Sequence, residues 1–193
     1  MASPAANFTN QFLIAMPGMG DESFAGAVVY LCEHTDKGAL GLVINKPIDI
    51  KLKNLFERVE LSLDREDIAD EPVYFGGPVQ TERGFVLHER EGADASPYSS
   101  TLSIPGGELD MTTSKDVLEA LAGGAGPRKL LVTLGYSGWG AGQLEEEIKR
   151  NGWITVEARP EVIFDTPAER RYEKALSLLG IDPALLSAEA GHA

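Results

Sequence analysis

The sequence predicts a single α+β domain, and three observations carry the prediction. The chain has 193 residues with 43% hydrophobic content, enough to bury one sizeable core. Its first fifty residues hold closely spaced apolar runs of β type, which give way after Asp49 to apolar residues at helical spacing. Nearer the C-terminus, residues 128–157 read as strand, helix and strand, a β-α-β unit. We expect one domain over residues 1–193, with an ordered core over about 12–181 and tails at 1–10 and 188–193.

Taken in order, Phe12 to Met16 is an apolar run that Pro17-Gly18-Met19-Gly20 ends, as a strand entering a turn does. Ala27 to His34 and Ala39 to Asn45 are two further strands, and Asp36-Lys37-Gly38 between them predicts a hairpin. From Asp49 the spacing of Leu52, Leu55, Phe56 and Val59 predicts an amphipathic helix. Val73–Phe75 and Gly84–His88 read as short strands, Arg90–Thr101 as a solvated loop, and Leu102–Ile104 as a brief strand. Thr113 with Asp116 forms a capping-box pattern that opens a helix closed by Gly123-Gly124.

Arg128 to Gly135 reads as a buried strand, Gln143 to Asn151 as a helix capped by Gly152, and Trp153 to Glu157 as a strand. A last helix is expected from Thr166 as N-cap, with Pro167 at the first helical position, Glu169 completing a second capping box and Gly180 as the stop. Asp182-Pro183 reads as the start of one more turn.

Composition excludes several functions. With 17 basic and 30 acidic residues the formal net charge is -13, and the basic residues that cluster have carboxylates close by. A protein that grips a duplex sets Lys and Arg against phosphates, so direct nucleic-acid binding is not expected. Anionic membrane surfaces are disfavoured for the same reason. Cys32 is the single cysteine, so intramolecular disulfides and multi-cysteine metal sites are excluded. No basic and apolar leader opens the chain, and no apolar run approaches the roughly 18 residues of a spanning helix. The expectation is a cytoplasmic protein with no cofactor and no metal.

The strongest local signal is Gly135-Tyr136-Ser137-Gly138-Trp139-Gly140-Ala141-Gly142, four glycines between an apolar strand and a polar helix. Such a loop at a helix start exposes amides that hold a phosphate or carboxylate. The spacing nevertheless fits neither a Walker A loop nor G-x-G-x-x-G, and the plainer reading is a tight corner packed against a neighbour. Ser137 after Gly135 is most of a nucleophile elbow, but Trp139 stands where that motif needs glycine. A serine nucleophile also needs a base, for which the chain offers His34, His88 and His192. Cys32 and His34 share a strand face by period, and a buried structural thiol is the better reading of the cysteine.

Glu145, Glu146 and Glu147 point in different directions along a helix and suit its N-terminal half without making a metal site. Asn45, Lys46 and Arg83 stand at strand ends, where sites form and chains turn. Trp139 and Trp153 flank the Gln143 helix and read as core residues.

In the order they occur, Val29-Tyr30-Leu31-Cys32-Glu33-His34, Gly38 through Pro47, Phe75-Gly76-Gly77-Pro78-Val79, Thr112 through Asp116 and Gly135 through Leu144 resemble the YqgE/AlgH family from about Phe12 to Ile181. The chain departs from the family at Ala25-Gly26-Ala27, where a basic residue often follows the phenylalanine matched by Phe24. The resemblance implies an α+β fold with a mixed sheet curled toward a pseudo-barrel and flanked by helices, in a bacterial cytosolic protein. It implies no catalytic residues, and one branch of the family is labelled a transcriptional regulator.

Two functions follow as expectations. The first is a binding or regulatory module holding a small anionic ligand or a protein partner at Ser137, Gly138, Trp139, Gly140 and Gly142, with Asn45 and Lys46. The second is a hydrolase using Ser137 with His34 or His88.

Overall fold

The structure, a computed structural model of the chain, describes residues 7–17, 24–90 and 96–180. The early apolar runs form strands β1 (Gln11–Ala15), β2 (Val28–Thr35) and β3 (Gly38–Val43). β2 and β3 make the expected antiparallel hairpin. Phe12, Ile14, Val28, Tyr30 and Leu42 belong to one core cluster, and Leu13, Val29, Leu31 and Val43 to another. A strand buried on both faces has no polar side to display, so these segments are continuous apolar runs and not alternations.

β4 (Pro47–Lys51) comes before α1 (Leu52–Arg58), so the helix placed from Asp49 begins three residues later. Leu52 and Phe56, one turn apart, are its buried residues. A four-residue α2 (Glu66–Ala69) follows, too short to leave a periodic trace. β5 (Pro72–Phe75) agrees with expectation, whereas β6 (Val79–Glu89) starts five residues before Gly84. Residues 80–84 of β6 are exposed, which is why no apolar run marked them.

β7 (Thr101–Ser103) is followed by β8 (Leu109–Thr112), a strand with no sequence signal because its buried positions include Asp110 and Thr112. Next come α3 (Lys115–Ala122), β9 (Leu130–Gly140), α4 (Gln143–Lys149) and β10 (Trp153–Glu157). The described chain ends with α5 (Pro160–Phe164), a 3-10 turn over Ala168–Arg170, and α6 (Arg171–Ser177).

The strands form one mixed sheet in the order β10-β1-β2-β3-β9-β6-β8-β7, with β5 parallel to β9 and β4 on β5. It is a strongly curled, mainly antiparallel half-barrel flanked by helices, an α+β architecture as expected. β9 is its spine. The first half of β9 pairs with β5 and β6, its second half pairs with β3, and Gly135 stands between them at φ +80. One core cluster holds Phe12, Tyr30 and Leu131 with Val162 and Leu176 of α5 and α6. A second packs α1, α2 and α3 on Val73, Val86 and Val132, and a third packs Leu144 of α4 on β1, β2 and β3.

The expected caps are corrected. Ser114, not Thr113, is the N-cap of α3, and no side chain caps it. Asp116 instead accepts hydrogen bonds from Ser114 Oγ and from the backbone amide and hydroxyl of Ser99, tying the helix start to the preceding loop. The Ser114 hydroxyl is the main cause holding the Asp116 carboxyl below the ordinary aspartate value.

At α4 the left-handed residue past the end is Asn151, at φ +59, rather than Gly152, which donates to the Glu147 carbonyl. Thr166 caps nothing: its hydroxyl donates to the Glu161 carbonyl, because the unforeseen α5 ends there. The Asp182-Pro183 turn, the tails at 1–6 and 188–193 and most of the Arg90–Thr101 loop's first half lie outside the described residues.

Candidate functional site

The glycine segment expected as a strand-to-helix loop is mostly strand. β9 runs through Gly135, Ser137 and Gly138 to Gly140, and the corner falls on Ala141-Gly142, with Gly142 left-handed at φ +74. Local reading missed this because the partners are remote: Gly38–Gly41 of β3 stand opposite Ser137–Gly140. At the α4 start the Gly140 amide donates to Gln143 Oε1 at 2.9 Å, so one turn amide is already satisfied within the protein.

The other half of the corner is Gly76-Gly77, between β5 and β6. The Gly76 amide donates to the Leu134 carbonyl, and the Gly76 carbonyl accepts from both the Val43 amide and the Ser137 hydroxyl. A Cβ on Gly76 would lie 2.6 Å from Thr133 Oγ1, and one on Gly77 would fall on the carbonyl of Tyr136. Two backbones cross here at a distance that only glycine permits. The packed-corner reading of the segment thus describes its inner side.

Ser137 is fully buried and its hydroxyl is spent on Gly76 at 3.1 Å. The two described histidines are also committed. His34 Nδ1 accepts the Phe8 amide at 3.0 Å, its Nε2 donates to Glu145 Oε1 at 2.9 Å, and its ring stacks on Phe8. His88 Nδ1 donates to the Glu89 carbonyl, and its Nε2 accepts the Thr112 hydroxyl, which also contacts Thr101 Oγ1. Among the described residues no histidine bonds Ser137, which corrects the expected serine–histidine pairing; His192 lies outside them.

Cys32 and His34 do not share a face either. A register shift between Leu31 and Glu33 puts Cys32 in the Phe12–Tyr30 cluster and turns His34 toward Phe8 and α4. One extra residue in a strand inverts the alternation beyond it. Burial pushes the Cys32 thiol well above the ordinary cysteine value, as expected of an inert structural thiol.

Asn45 is a clamp: its side chain accepts the Val28 amide at 2.8 Å and donates to the Gly26 carbonyl at 2.8 Å. The Lys46 carbonyl accepts the Phe75 amide. Arg83 lies over the Phe85 ring. Trp139 and Trp153 are core residues at 6% and 3% exposure, packed edge-to-face with each other and against Phe24. Both indole N–H groups donate to Glu147 Oε1, at 3.1 and 2.9 Å, and Gln143 donates to Glu147 Oε2. Sequence reasoning set Glu147 aside as one of three helix acids; its spacing from two tryptophans was the signal available.

The His34–Glu145 contact gives a pH prediction. Chiefly through the His34 hydrogen bond, the Glu145 carboxyl is held below the ordinary glutamate value. A carboxylate depressed in the folded state stabilises above its unfolded value, and that contribution is lost as pH falls through the folded one. Glu145→Gln should therefore melt below wild type at pH 7, with the gap closing as the pH is lowered past the usual glutamate range. A gap independent of pH in thermal melts would refute this.

With this geometry in view, the relatives can be placed. A model of DUF179, described as AlgH-like, matches residues 12–184. The chain belongs to the AlgH-like family. A UPF0301 protein of Ralstonia nicotianae is 66% identical over 195 residues, covering 100% of both chains. The solution structure of AlgH from Pseudomonas aeruginosa matches with 47% identity and a TM-score of 0.77, again over 100% of each chain. A crystal structure of a Corynebacterium diphtheriae protein shares the fold, with a TM-score of 0.69 at 20% identity over 90% of this chain and 87% of that one. Among the described residues no group of three His, Cys, Asp or Glu side chains is placed to hold a metal, and no helix is long and apolar enough to cross a membrane.

Proposed function

We propose that the protein is a non-catalytic binding module that offers the outer side of β9 at Gly138, Gly140 and Ala141 to a protein partner or a small anionic ligand. The alternation along β9 carries the reading: Ser137 and Trp139 are buried, while Gly138 and Gly140 between and after them are exposed. Neither exposed glycine has a positive φ. A Cβ on Gly140 would meet Gln143 Oε1 at 3.9 Å, ordinary contact, so internal packing does not demand glycine there. Glycine weakens a strand interior and leaves its backbone bare, which serves a close approach from outside.

Asn45 and Lys46 follow the far end of β3, where Asn45 ties to Val28 and Gly26 and the Lys46 carbonyl to Phe75, so the reading does not rest on them. A regulatory role for such a module runs through what it binds, since a net charge of -13 opposes direct operator contact. Cytoplasmic placement accords with the single buried thiol.

Gly140→Ala should leave stability within about 0.5 kcal/mol of wild type. In an amide-resolved NMR titration with nucleotides and carboxylates, shifts should gather at residues 138–143 and weaken in Gly140→Ala. Shifts elsewhere, or none, would sink the ligand form. Fluorophosphonate should not label the protein; labelling lost in Ser137→Ala would restore the hydrolase.

A further inference from the structure

We propose a second, separate site: a small-oxyanion pocket built on the buried guanidinium of Arg171. It does not depend on the β9 reading above.

Arg171 opens α6 and is 6% exposed. Its Nε donates to the Thr166 carbonyl at 2.9 Å, its Nη1 donates to the Ile44 carbonyl, and the guanidinium lies 5.0 Å from the Tyr74 ring centroid. These contacts fasten the C-terminal helix to the end of the β2–β3 hairpin and solvate part of the charge. Two things are missing. No carboxylate of the described residues pairs with Arg171, although a buried cation ordinarily has one. And Nη2 has no hydrogen-bond partner among the described residues, where no buried side-chain nitrogen or oxygen goes unpartnered. Nη2 is therefore not sealed in; it opens on space.

Arg171 lines a cleft of about 140 Å³ with Tyr74, Arg128, Lys129, Ile163 and Glu71, and we take Nη2 as the donor into it. Its lining combines apolar residues such as Leu52 and Ile163 with two further basic residues, Arg128 and Lys129. Lys129 is half engaged with Asp165 at 2.9 Å, while the Arg128 side chain makes no ion pair among the described residues. Glu71 shares the lining and Asp165 holds Lys129, so the positive charge that an anion would meet comes from Arg171 and Arg128. An anion reaching Nη2 would supply the missing countercharge, and the planar guanidinium selects a flat or tetrahedral oxyanion. The volume suits phosphate or a small carboxylate.

The test uses the full chain, with inorganic phosphate and acetate as separate probes. Their shifts are followed on the arginine Nε–Hε signals and on backbone amides by NMR. Phosphate or acetate should move the Arg171 Nε–Hε signal and amides 128–131 and 163–166, saturably. The probe that binds more tightly identifies the ligand class. Arg128→Ala, an exposed change that leaves the fold intact, should weaken binding about tenfold, as loss of one charge-assisted contact does. Arg171→Lys should abolish the shifts; if that variant fails to fold, Arg128→Ala decides alone. Non-saturating shifts spread over Lys51, Lys53 and other surface cations, or equal binding in Arg128→Ala, would overturn the site and leave Arg171 as a clamp only.

Discussion

Gly77→Ala is expected to destabilise the protein by about 4 kcal/mol or more, a large part of the roughly 5–15 kcal/mol that holds a domain folded. Gly77 sits at φ +153, and a Cβ there would fall on the carbonyl carbon and oxygen of Tyr136 and close on the Ser137 amide. Backbone atoms cannot swing aside as a flexible side chain does, so relief requires moving β9 away from the β5–β6 corner. That movement would break the Gly76 carbonyl contacts with Val43 and Ser137 and the Gly76 amide contact with Leu134. Those bonds join β3, β5 and β9 where the half-barrel closes. Urea denaturation followed by far-UV circular dichroism measures the loss. A Gly77→Ala midpoint like that of Gly140→Ala would show that the corner is not the joint we describe.

Glu147→Ala should cost about 3 kcal/mol, because it removes the acceptor of two nearly buried indole N–H groups at once. Its carboxylate also takes the Gln143 amide, and Gln143 in turn holds the Gly140 backbone. Loss of Glu147 should therefore loosen α4, both tryptophans and the end of β9 together. Chemical denaturation gives the energy, and near-UV circular dichroism and tryptophan emission report the environment. Glu147→Gln keeps one oxygen acceptor and should lose less than half as much. If Glu147→Ala costs under about 1 kcal/mol with unchanged tryptophan emission, solvent replaces the carboxylate and the clamp is incidental.

Much of the fold was legible because it is written locally. The β2–β3 hairpin follows from two apolar runs and the Asp36-Lys37-Gly38 connection, and α1 from the four-residue spacing of Leu52 and Phe56. What escaped was short or polar. α2 has four residues, β8 buries Asp110 and Thr112, and the outer half of β6 is exposed, so none carries a usable period. The caps at Thr113 and Thr166 failed for a related reason. A threonine followed three residues later by an acid satisfies the pattern, but nearby loops and α5 claimed those side chains first.

The candidate site divides in the same way. Gly135, Ser137 and Trp139 each meet a tertiary constraint, whereas Gly142 meets only the left-handed turn before α4. Their roles were not legible. Ser137 looks like part of an elbow until the Gly76 carbonyl arrives from sixty-one residues away. Arg171 gave no signal at all beyond a charged helix start, because the Ile44 carbonyl and the cleft beside Tyr74 exist only in the fold.

By itself the sequence determined the inventory: an acidic α+β chain, one thiol, strands and helices of roughly known extent, and the motifs that resemble the AlgH-like family. The tertiary structure decided where each polar group spends its hydrogen bonds. Glycine has no side chain to prefer strand or turn, so β9 stays extended through Gly138 and Gly140 because β3 supplies a ladder beside it. Likewise one bulged residue in β2 separates His34 from Cys32. Those outcomes depend on remote partners, and no local pattern encodes a partner that the chain reaches only after folding.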